Sequence, residues 1–65
     1  MLPENVRERV IQEQNDLRNK ITKLASFIYS AKIETVSKEH EGLLKMQLHV
    51  MEEYDEILTR RLELD

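Results

Sequence analysis

Apolar residues recur through the first half of the chain at Val6, Val10, Leu17, Ile21, Leu24, Ile28 and Ala31. Steps of three, four and seven put them on one stripe of an α-helix. Gln14 interrupts that stripe. Pro3 suits the first turn, where its missing N–H is no loss, and Glu4 suits the positive end of the helix dipole. The pattern predicts a helix from about residue 4 to about residue 31, then a connector over 32–37. In the connector Ile33, Thr35 and Val36 are β-branched and weaken helix preference. Ile33 and Val36 are expected to tuck against the helices. Ser37 is placed to cap a second helix, with Glu39 and Glu41 behind it. That helix is predicted over about 38–62.

The second ladder is wider than the first. Leu44, Met51 and Leu58 form one row, and Leu43, Val50, Ile57 and Leu64 form another about 100° round the helix. Leu48 and Leu62 widen the band, with Met46 and Tyr54 in the same segment. A helix facing one neighbour needs only a narrow seam, so this band calls for at least two. An antiparallel hairpin supplies one of them. The expected fold is therefore all-α, a single domain over 1–65, with a two-helix hairpin assembling into a helical oligomer. Gly42, early in the second helix, costs helix stability, and either close approach of another backbone or a tolerated weak spot accounts for its use.

The chain has 65 residues and no cysteine, so a disulfide or thiolate–metal staple is excluded and one small core barely offsets chain entropy. This strengthens the case for association between copies. No apolar window is long enough to span a bilayer, and the first residues lack a signal-peptide pattern. A soluble, cytoplasmic protein is expected. The net charge is −3 with both signs interspersed, which disfavours long nucleic acids and membrane surfaces as partners. His40 and His49 are too far apart for an i, i+4 metal pair, and no metal or cofactor is expected. There is no cysteine nucleophile and no glycine-rich phosphate loop, so no enzymatic activity is expected. Pairs such as Asp16–Lys20 and Glu41–Lys45 suit solvated helix faces.

Binding of a small anion is better supplied. Lys20, Lys23 and Phe27 lie along one edge of the first helix, with Arg9 further up the same face. Tyr54 and Arg61 are seven apart on the second, with Arg60 beside them. Lysine and arginine can hold phosphate, and a flat ring can stack on a nucleobase. Plain packing of Phe27 and Tyr54, with solvated lysines, fits the same positions, and both readings stand at this point.

A set of residues spread over nearly the whole chain resembles a known family. It comprises Glu8-Arg9-Val10, Leu17, Lys20-Ile21, Leu24, Phe27-Ile28 and Ser30, then Leu43-Leu44, Gln47, Met51, Tyr54, Leu58 and Arg61. The pattern is similar to the small phage hairpin proteins, including those of crAss-like phages, that act as anti-CBASS and anti-Thoeris sponges. The resemblance implies helical hairpins assembled as hexamers, described as trimers of dimers, in the host bacterial cytoplasm. It implies capture of cyclic oligonucleotide second messengers between protomers, without cleavage. Cyclic dinucleotides are the common ligands, with cyclic trinucleotides or cyclic ADP-ribose isomers in some members. Two departures stand out. Ile33 occupies a place that is often aromatic, and the chain begins only a few residues before its first helix, so one class of pocket is expected to be smaller or missing. The alternative expectation is a coiled-coil adaptor or structural oligomerisation module with no small ligand.

Overall fold

The computed structural model describes residues 2–64. Helix α1 runs Glu4–Ile28, a 3-10 helix spans Ala31–Thr35, and helix α2 runs Lys38–Glu63. Among the described residues there is no strand, and the two long helices fold back on each other as a rod of 45 × 15 × 12 Å. Pro3 sits just outside α1, and its carbonyl accepts from the N–H groups of Val6 and Arg7.

Helix α1 ends three residues short of the expected Ala31. Ser30 causes the break. Its hydroxyl donates to the Phe27 carbonyl at 2.9 Å, and its oxygen accepts from the Lys32 N–H at 3.2 Å. Serine side chains compete in this way with the helical i→i−4 pattern. The chain then tightens into the 3-10 turn, where Ile33 and Val36 are half-buried. Ser37 starts α2 as expected, its hydroxyl accepting from the His40 N–H at 3.1 Å.

The seam buries Val10, Leu17 and Leu58 together, packed on by half-buried Leu2, Val6, Ile21, Met51 and Leu62. Ile28 and Leu48 are buried nearer the connector. Of the two rows on α2, the one holding Leu44, Met51 and Leu58 therefore faces α1. Leu43, Val50, Ile57 and Leu64 face outward, along with Met46.

Gln14 does not weaken the seam. It is buried, and its Nε2 donates to Thr59 Oγ1 at 2.7 Å and to the Asp55 carbonyl at 3.4 Å. One turn further along, Arg18 Nε meets Asp55 Oδ1 at 2.9 Å. A buried polar group is satisfied only in one alignment, so the Gln14 link sets the register of the helices, and the exposed Arg18–Asp55 pair is compatible with it. No helix among the described residues is long and apolar enough to cross a membrane.

Candidate functional site

The seven residues singled out from the sequence fall in three places. Arg9, Lys20 and Tyr54 line one open groove of 430 Å³ along the α1–α2 edge. Leu17 forms part of its apolar wall, and Gln12, Glu13 and Asp16 complete the lining. The two carboxylates balance the two cations. Asp16 accepts from Gln12 Nε2 at 3.0 Å, so the expected Asp16–Lys20 pair is replaced by a hydrogen bond one turn earlier.

Lys23 and Phe27 line a second groove of 400 Å³ near the connector. Thr22, Ser26, Ser30 and Lys32 share it. Lys20 and Phe27 are seven residues apart, which is about 10 Å along the helix axis. They therefore fall into separate grooves despite sharing an edge. In this second groove no carboxylate lines the wall, two ammonium groups border it, and a half-buried ring forms one side. The Ser30 hydroxyl is occupied by the Phe27 carbonyl and the Thr22 hydroxyl by the Arg18 carbonyl. The Ser26 hydroxyl and the lysine N–H groups are the donors left to face a ligand.

Arg60 and Arg61 line neither groove. Arg60 pairs with Glu56 at 3.0 Å on the outside of α2. Arg61 is exposed near the end of the outward row. Lys32, Thr22 and Ser26 were not singled out from the sequence. Only the 3-10 turn brings Lys32 back beside Lys23, and a turn conformation leaves no periodic mark.

Elsewhere the charges serve the helix surfaces. The expected Glu41–Lys45 pair forms at 2.9 Å. The hydrogen bond from Lys45, with its charge, holds the Glu41 carboxyl below the usual carboxylate range. His49 lies 3.0 Å from Glu53. Among the described residues no group of three acidic, histidine or cysteine side chains is placed to hold a metal ion.

A family model described as Sequestin matches residues 4–64. No curated protein and no solved structure matches the chain.

Proposed function

The chain belongs to the Sequestin family, and from that premise we propose that it binds and sequesters cyclic oligonucleotide second messengers without cleaving them. The family's name is compatible with a sequestering role. One observation carries the choice of ligand class: the groove near the connector combines Lys23, Lys32 and the Phe27 ring with no carboxylate in its lining. Phosphodiesters take the ammonium donors and a base takes the ring face. A small cyclic ligand gains from local charge at short range, whereas the net charge of −3 works against long polyanions.

The groove is open in a single hairpin, and slow release calls for a second wall. The reading therefore includes a homo-oligomer, with the hexameric trimer of dimers as its expected form. Arg9, Lys20 and Tyr54 give a second, charge-balanced subsite better suited to a base or ribose than to phosphate. The setting is the cytoplasm of a phage-infected bacterium.

Calorimetry of the assembled protein with a panel of cyclic di- and trinucleotides and cyclic ADP-ribose isomers tests this. Binding to at least one is expected, weakened at least tenfold by Lys23→Glu or Lys32→Glu. The ligand should be recovered with unchanged mass after denaturation. Absence of heat for every member of the panel, or recovery of a cleaved product, would overturn it. A second reading rests on the outward row of α2, which also suits an apolar partner helix in an adaptor without a small ligand. A chain that stays monomeric alone and gains mass only with a protein partner favours the adaptor.

A further inference from the structure

The outward face of α2 is built on a spacing that reads the same in both directions. Glu39, Leu43, Met46, Val50, Tyr54, Ile57 and Arg61 follow one another at steps of four, three, four, four, three and four. At 3.6 residues per turn these positions share one stripe. Within the hairpin Leu43, Met46 and Val50 are 60%, 66% and 61% exposed, and Ile57 is 54% exposed. The stripe ends in an acid at one end and a base at the other, and neither has an ion-pair partner among the described residues.

We propose that a second copy of this chain seats on the stripe, with its α2 antiparallel to the first and a two-fold axis passing by Val50. Three observations choose this occupant. The palindromic spacing is what an isologous contact needs, since each patch must be its own complement. Turned about Val50, Leu43 of one copy faces Ile57 of the other, and Met46 faces Tyr54. The end charges then match, Glu39 of one copy meeting Arg61 of the other at both ends, whereas parallel pairing would set like charges together.

Area points the same way. The chain exposes 5195 Å². A compact monomer of 7.8 kDa exposes ~4400 Å². The surplus, on the order of 800 Å², matches what each partner buries in a stable interface.

The contact also completes a binding groove. Tyr54 belongs to the stripe and lines the groove with Arg9 and Lys20, so the second copy becomes the outer wall of that groove. Arg61 is thereby assigned to the contact between copies rather than to ligand. The pairing gives an arrangement to the homo-oligomer of the preceding reading and rests on it in that one respect.

Sedimentation of the ligand-free chain tests the pairing apart from any nucleotide. At about 100 µM, a hundredfold above a micromolar dissociation constant, the wild-type chain should sediment as a multiple of 7.8 kDa. Val50→Glu, which sets a carboxylate against its own copy, should lower that multiple while helicity by circular dichroism stays unchanged. Glu39→Arg and Arg61→Glu should each weaken association roughly tenfold, since each replaces two attractive contacts by two repulsive ones. The double variant should recover to within about threefold of wild type. A monomeric wild-type chain, an unchanged mass for Val50→Glu, or a double variant no tighter than either single would overturn the proposal.

Discussion

Leu58 and Val50 sit eight residues apart on one helix, and their truncation to alanine should have opposite consequences. Leu58 is fully buried, in contact with the cluster of Val10 and Leu17. Removing its branched end forfeits the transfer energy of the lost methyl groups and leaves a cavity whose cost grows with its volume. The lining includes several half-buried side chains that can partly collapse, which places Leu58→Ala in the lower part of the usual range, at about 3 kcal/mol. A domain of this size is stable by about 3–10 kcal/mol, so the loss removes a large share of the total. Val50 is 61% exposed in the hairpin, and alanine is the better helix former, so Val50→Ala should change hairpin stability by less than ~0.5 kcal/mol. Urea titrations followed by circular dichroism measure both, and repeating them over a hundredfold range of protein concentration separates the hairpin from its assembly. Leu58→Ala should lower the midpoint at every concentration, and Val50→Ala only where the copies are associated. If Leu58→Ala unfolds the chain outright, Leu58→Met gives a graded version. Equal losses for the two alanine variants at the lowest concentration would refute the assignment of the inner and outer rows.

Three further tests address single features. A double-mutant cycle on Gln14→Ala and Thr59→Val should give a coupling of about 1 kcal/mol, because the pair makes a part-buried hydrogen bond; zero coupling would mean that the link does not set the register. Gly42→Ala should stabilise α2 by about 1 kcal/mol, since a Cβ there meets nothing within 4 Å; a loss of stability or of assembly mass would instead reveal a neighbouring chain against that glycine. Lys45→Ala should move the Glu41 carboxyl back up toward the ordinary range in an NMR titration, because its lowering comes first from the Lys45 hydrogen bond. With a lowered native value, the contribution of Glu41 to folding is present at neutral pH and lost as pH falls through that value. An unmoved midpoint in the alanine variant would remove Lys45 as the cause.

The two helices were legible because their apolar spacing is regular and no glycine or proline interrupts either ladder before its end. Which row of α2 turns inward was not legible. Leu44, Met51 and Leu58 have the same spacing and similar apolarity as Leu43, Val50 and Ile57, and only packing against α1 separates them. Gln14 read as a gap in the stripe because its partner, Thr59, lies 45 residues away. The early end of α1 had a visible cause in Ser30, a residue type that competes with helical hydrogen bonds. The basic and aromatic positions were found by periodicity along each helix. Their division between two grooves depends on distance along the axis and on the fold of the connector, which helical spacing alone does not encode.

The single short connector also governs how fast the hairpin closes. Residues 29–37 bring the ends of two helices together, so the seam can zip outward from the turn and few pairings wait on a long loop. Helical proteins with such local contacts close in microseconds to milliseconds. Meeting of copies depends on concentration and is slower when chains are scarce. A newly made chain thus becomes a finished hairpin long before it finds a partner. Abundance, rather than folding speed, then sets when any assembled form appears.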